Sequence, residues 1–128
     1  MRKLIITAFL FVSSMITNSN ADGHAIKMGI ILGFTGPIES LTPAMAASAE
    51  LAFKEASDSG SLLGGKYISV TRADSTCVDS AAAVTAAEGL VSSGTVAIMG
   101  ADCSGVTGAI AEKVAVPNGV VMISPSAT

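Results

Sequence analysis

Four short strand-like runs, separated by three helical stretches, dictate the architecture of this chain. The runs are Ile26–Leu32, Lys66–Arg72, Val96–Met99 and Val120–Ile123. The first, third and fourth are nearly continuous in apolar residues, which suits strands buried on both faces. In the second, Tyr67, Ser69 and Thr71 alternate with Ile68 and Val70, and the Gly64-Gly65 turn leads into it. Between the runs the period changes. Met45, Ala49, Ala52, Phe53 and Ala56 fall on one helical face. Thr42 is placed to cap that helix with Pro43 at its first position, and Gly60 suits its stop. Glu50 and Lys54 are spaced for an i,i+4 ion pair. A second helix is predicted from Asp79 to about Ser92, with Val84, Ala87 and Val91 inward and Gly94 after its end. A third is predicted from a Ser104 cap to about Val116, where Pro117-Asn118-Gly119 forces a turn. Strict alternation of this kind implies right-handed crossovers and an α/β fold, a doubly wound parallel sheet with helices on both faces.

The segment before the first strand has a different character. Arg2 and Lys3 precede an apolar run from Leu4 to Ile16, and Thr17-Asn18-Ser19-Asn20-Ala21 is small and polar. Basic head, apolar middle and small-residue exit make up a secretory signal peptide, here residues 1–21 with cleavage after Ala21. The apolar run is about 13 residues, short of the roughly 20 that a membrane span needs. The remaining residues 22–128 have one domain's length at most and contain no run apolar enough to cross a bilayer. The net charge is −3, and without Arg2 and Lys3 five Lys and Arg face ten Asp and Glu. That acidic balance argues against nucleic acid and anionic membranes as partners.

Export also bears on the two cysteines, Cys77 and Cys103. In an oxidising compartment an isolated pair usually bonds, which would close a loop of about 26 residues worth roughly 3.5 kcal/mol on the chain-entropy estimate; two unrelated buried thiols are the alternative. Two cysteines are too few for a structural zinc site, and the single His24 stands before the first strand.

In open parallel sheets ligands bind beyond the carboxyl ends of the strands. Three polar segments fall there: Thr35-Gly36-Pro37, Asp102-Cys103-Ser104-Gly105 and Ser124–Thr128. A hydroxyl and free backbone N–H groups at Ser104, opening a helix, suit an anion such as a carboxylate. Ser104 as a simple N-cap, and Ser126 and Thr128 as plain turn residues, are the alternatives. Gly-Phe-Thr-Gly-Pro after the first strand is not a phosphate-binding loop. A Ser-His-Asp triad has no candidate histidine in the folded region. Asp74, Asp79 and Asp102 read as solvated loop charges or helix caps.

These residues, in this order and behind a leader, resemble the substrate-binding proteins of branched-chain amino acid ABC transporters, the leucine/isoleucine/valine-binding family with the type I periplasmic binding protein fold. The resemblance rests on Ile26-Lys27-Met28-Gly29-Ile30, Thr35-Gly36-Pro37, Gly64-Gly65-Lys66 with the run to Asp74, the Cys77/Cys103 positions, and Ile123-Ser124-Pro125-Ser126-Ala127-Thr128. It implies a two-lobed receptor closing about a hinge, of which residues 22–128 hold most of the first lobe. By motif position, Ser104 and Thr128 bind the carboxylate and ammonium of an amino acid, with backbone help at Ser126. A second lobe supplies the acidic partner for the ammonium. Leu41 falls where the family often places an aromatic residue against the ligand, which leaves the solute open.

The sequence therefore predicts a periplasmic receptor that captures an amino acid or similar small polar solute and delivers it to an ABC permease, without catalysis, cofactor or metal. A receptor's sensory ectodomain and a secreted α/β enzyme are the rival readings. A parallel fourth strand is expected to be followed by another covering helix. The chain accordingly reads as a truncated lobe, a complete four-stranded domain being the alternative.

Overall fold

The structure, a computed structural model, describes residues 25–128. The expected leader over residues 1–21, and His24, lie outside the described residues. Four strands, β1 (Ala25–Leu32), β2 (Tyr67–Asp74), β3 (Ala97–Gly100) and β4 (Val121–Ile123), form one sheet in the order β2-β1-β3-β4. All three pairings are parallel. β1 is flanked on both sides, and its Ile30, Ile31 and Leu32 are wholly buried.

Helices cover both faces. α1 (Thr42–Asp58) lies over Ile30 and Leu32, which pack with Ala46 and, less deeply, Met45, Ala49 and Phe53. α2 (Ser80–Ser92) and α3 (Ser104–Ile110) lie over Ile31 and Ile98 on the other face, with Ala83, Ala87, Leu90, Val106, Ile110 and Val114 closing the core. α3 widens into a π-helical turn over Ala111–Ala115 before the Pro117 turn. Because side chains alternate along a strand, Met122 joins the α2/α3 core while Val121 and Ile123 face the opposite side. There α1 does not reach, and the two residues stay 60% and 67% exposed.

Several sequence expectations shift locally. β3 and β4 begin one residue later than expected, and β3 runs on to Gly100. Thr42 does not cap α1. The cap position is Leu41, without a side-chain bond. Thr42 is buried instead, and its hydroxyl donates to the Gly33 carbonyl at 3.1 Å, tying the helix start to the exit of β1. Ala52 faces solvent because it lies off the stripe that Ala46, Ala49 and Phe53 bury. The expected Glu50–Lys54 pair does not form. Lys54 pairs with Asp58 one turn on, and Glu50 is taken by Arg72 of β2 through two hydrogen bonds of 2.6 and 2.7 Å. A forked guanidinium matches both carboxylate oxygens, so it outcompetes a flexible ammonium. On α2, Leu90 joins Ala87 inside, while Val84 and Val91 are only partly buried.

Candidate functional site

The loops after all four strands meet at the carboxyl edge of the sheet. Cys77, after β2, and Cys103, after β3, are joined in a disulfide with Cα atoms 5.3 Å apart. Thr76 and Cys77 both adopt left-handed backbone, with φ of 57° and 70°, which is uncommon outside glycine. The covalent link and the Thr76 N–H, which donates to Asp74 Oδ1 at 2.8 Å, hold that turn.

Asp74 clamps the loop after β1 to the loop after β2. Its carboxylate accepts from the Thr35 hydroxyl at 2.6 Å and from the Thr35 N–H at 3.3 Å. Burial pushes the Asp74 carboxyl up. Hydrogen bonds from the Thr35 hydroxyl and from the N–H groups of Thr76, Thr35 and Phe34 outweigh it, and hold the group below its ordinary value. Thr35-Gly36-Pro37 is thus committed to β2's exit rather than to the edge shared by β3 and β4.

Asp102 is not a solvated charge. It is 5% exposed and accepts from the Gly33 N–H at 2.8 Å, the Cys103 N–H at 3.1 Å and the Ser75 hydroxyl at 3.4 Å. The three donors come from separate regions of the chain, so no local pattern announced them. Asp79 does act as a cap: its Oδ1 accepts from the N–H groups of Ala81 and Ala82 at the start of α2. Among the described residues no buried side-chain nitrogen or oxygen lacks a hydrogen-bond partner.

An open pocket of about 400 Å³ lies between α3 and the segment after β4, lined by Ser104, Thr107, Gly108, Met122, Ser124 and Thr128 among others. Ser104 is the first residue of α3 rather than its cap, which is Cys103. Its hydroxyl oxygen accepts the Thr128 N–H at 3.0 Å. That bond uses a lone pair and leaves the Ser104 proton free to donate to an anion. Ser124 folds the strand exit back on itself: its hydroxyl donates to the Ala101 carbonyl and accepts the N–H groups of Ala127 (2.8 Å) and Ser126 (3.3 Å). Ser126 turns its own hydroxyl to the Asp102 carbonyl at 2.7 Å.

The structure therefore brings Ser104 and Thr128 to one pocket, while Ser126, in the same segment, bonds the Asp102 carbonyl and is not among the lining residues. Leu41 stands apart, 61% exposed at the start of α1 and not among the pocket's lining residues. Thr107, Gly108 and Met122 were not singled out from sequence. Their signal was the helical spacing 104, 107, 108, which places three small residues on one face of α3.

The fold has parallels among known proteins. The family model described as periplasmic binding protein matches residues 25–128. The chain belongs to this family. Its fold superposes on the branched-chain amino acid transporter substrate-binding protein LivJ from Streptococcus pneumoniae, solved with isoleucine, with a TM-score of 0.72 and 33% identity. That match covers 81% of this chain and 29% of LivJ. An ABC transporter substrate-binding protein from Desulfitobacterium hafniense, complexed with leucine, is 26% identical with a TM-score of 0.67 over 81% of this chain and 29% of that one. A solute-binding protein of R. palustris, in complex with benzoate, is 28% identical with a TM-score of 0.67 over 80% of this chain and 28% of its own. No curated protein gives a significant match. The relationship is to solute-binding proteins rather than enzymes, and the chain spans under a third of the solved relatives it matches. Among the described residues no helix is long and apolar enough to cross a membrane, and no cluster of three or more His, Cys, Asp or Glu is arranged to hold a metal.

Proposed function

We propose that residues 22–128 form most of the first lobe of a periplasmic receptor, exported by a leader over residues 1–21, that captures a small carboxylate-bearing solute for an ABC permease. The observation that carries this reading is the hydrogen bond from Thr128 N–H to Ser104 Oγ, which orients the Ser104 hydroxyl as a donor at the mouth of the pocket. A carboxylate accepts that proton together with backbone N–H groups at the start of α3. The Thr128 hydroxyl and nearby carbonyl oxygens suit an ammonium. Isoleucine, leucine and benzoate, the ligands of three relatives, share a carboxylate and differ elsewhere. The carboxylate is therefore the group of the solute that this lobe recognises, and an amino acid of the branched-chain class is the first candidate. Ser126 contributes through its backbone, and Leu41, which lies apart from this pocket, is left out of the site. Neither a cofactor nor catalysis is involved.

A thermal-shift screen of the full-length protein against amino acids, their amides and aromatic acids tests this. A ligand at a hundred times its Kd stabilises the folded state by about 2.7 kcal/mol, an easily read shift. Carboxylic acids are expected to stabilise and their amides not to. Ser104→Ala and Thr128→Ala are each expected to weaken binding by about 1–3 kcal/mol. Unchanged affinity in both variants would remove the pocket from the site.

A further inference from the structure

We propose that Asp102 is a positioning residue of the solute site, a single clasp that fixes the exits of all four strands; this rests on the reading of the Ser104–Thr128 pocket given above. Asp102 lies two residues past the end of β3. Its Oδ2 holds the Gly33 N–H at the exit of β1, and its Oδ1 holds the Ser75 hydroxyl at the exit of β2. The same Oδ1 accepts the Cys103 N–H at the start of α3, and the Asp102 carbonyl accepts the Ser126 hydroxyl after β4. These partners are neutral donors from positions 24 to 69 residues away, Cys103 excepted. A carboxylate buried to this degree is costly unless its acceptor sites are filled, and here each oxygen is engaged.

The consequence falls on the pocket. Three bonds tie the segment after β4 to the stretch that leads from β3 into α3: Ser124 hydroxyl to Ala101 carbonyl, Ser126 hydroxyl to Asp102 carbonyl at 2.7 Å, and Thr128 N–H to Ser104 Oγ at 3.0 Å. All are accepted within two residues of the clasp. Binding groups held in place before the ligand arrives cost less to order, so a loosened clasp weakens capture even where the sheet stays folded. Asparagine keeps the shape of Asp102. Its amide nitrogen, however, must face one of the donors, which leaves at least one buried N–H or O–H without an acceptor.

The test uses Asp102→Asn, and Ser75→Ala as a gentler cut of one link, in the full-length protein. Amide hydrogen exchange is read without ligand at Gly33 and at Thr107. The Thr107 N–H donates to Cys103 O at 2.9 Å and does not touch Asp102. Ile30, Ile31 and Ile98 report the core. Isoleucine affinity is measured in parallel by calorimetry. In Asp102→Asn, exchange at Gly33 and Thr107 is expected to rise about tenfold while the core amides hold, and isoleucine affinity to fall about tenfold. Ser75→Ala should move the same amides in the same direction, about threefold. Uniform acceleration across core and edge, or an unchanged edge, overturns the proposal, because a merely structural residue acts through global stability. Should Asp102→Asn fail to fold, the Ser75→Ala pattern decides by the same criterion. If the unaltered protein takes no isoleucine, the solute assignment fails, and the exchange pattern still decides the role of Asp102.

Discussion

At the amino ends of the strands the chain turns on glycines; at the carboxyl ends it is held by side chains from distant stretches of the sequence. Gly94 before β3 and Gly119 before β4 adopt left-handed backbone, φ 91° and 64°, and their N–H groups bond to carbonyls three residues back. An added Cβ at Gly119 meets nothing within 4 Å. The carboxyl ends are built otherwise. Gly33 bonds Asp102 across 69 residues, Thr35 bonds Asp74 across 39, and the Cys77–Cys103 disulfide crosses 26. The amino end is closed mostly by local conformation, with Lys27 Nζ donating to the Ser93 carbonyl at 3.0 Å and the Ile68 N–H to Ser57 Oγ at 2.9 Å as side-chain ties. The other is closed by tertiary bonds, which fix hydroxyls and N–H groups where a solute can meet them. Both ends terminate the same sheet, so the difference reflects what each end is for rather than what a sheet requires.

The largest expected effect comes from cutting the covalent tie at the carboxyl end. Cys77→Ala with Cys103→Ala is expected to cost about 3.5 kcal/mol of stability on the chain-entropy estimate, read by urea unfolding. A loss under about 1 kcal/mol would show that the hydrogen bonds alone hold that edge.

Two glycines sharpen the contrast next. Gly100, at the end of β3, has φ 129°, and a Cβ there would overlap the Ile31 carbonyl oxygen of β1. Gly100→Ala must therefore both strain the backbone and push β3 away from β1, at a cost of about 3 kcal/mol. Gly119→Ala meets open space and should cost about 1 kcal/mol, from the left-handed backbone alone. Equal losses at the two positions would erase the distinction between the ends.

Acid supplies a smaller probe of the same edge. The Asp74 carboxyl lies below its ordinary value of 3.8 in the folded chain. Its contribution to stability is therefore fully present above the unfolded value, and is lost as pH falls through the folded one. Urea midpoints measured downward from about pH 5 should fall less steeply in Asp74→Asn than in the unaltered protein. Parallel curves would show that Asp74 has no special hold on Thr35.

The same division explains what could be read in the sequence. Alternating strands and helices pointed to the parallel sheet, and the glycine turns marked the amino ends, because both are local signals. Ser104 and Thr128 were legible as residues that follow strands, and their meeting follows from the sheet's topology. Asp102 was not. An acidic residue beside a cysteine reads as a loop charge, and its burial depends on Gly33 and Ser75 arriving from other strands. Glu50 misled for a similar reason: its helical neighbour Lys54 was visible in sequence, while Arg72 became a neighbour only when α1 packed on β2. Thr42 and Ser104 looked like caps by type and place, yet tertiary bonds claimed both side chains.

The central claim is that the solute binds at the carboxyl edge, between the start of α3 and the segment after β4. Backbone amide chemical shifts, followed while the full-length protein is titrated with the carboxylic acid that stabilises it most, test this directly. The account predicts the largest changes at Ser104, Gly105 and Thr128, with Gly94, Val96 and Gly119 at the opposite edge unmoved. Changes centred on the amino edge, with Ser104 and Thr128 unmoved, would contradict it.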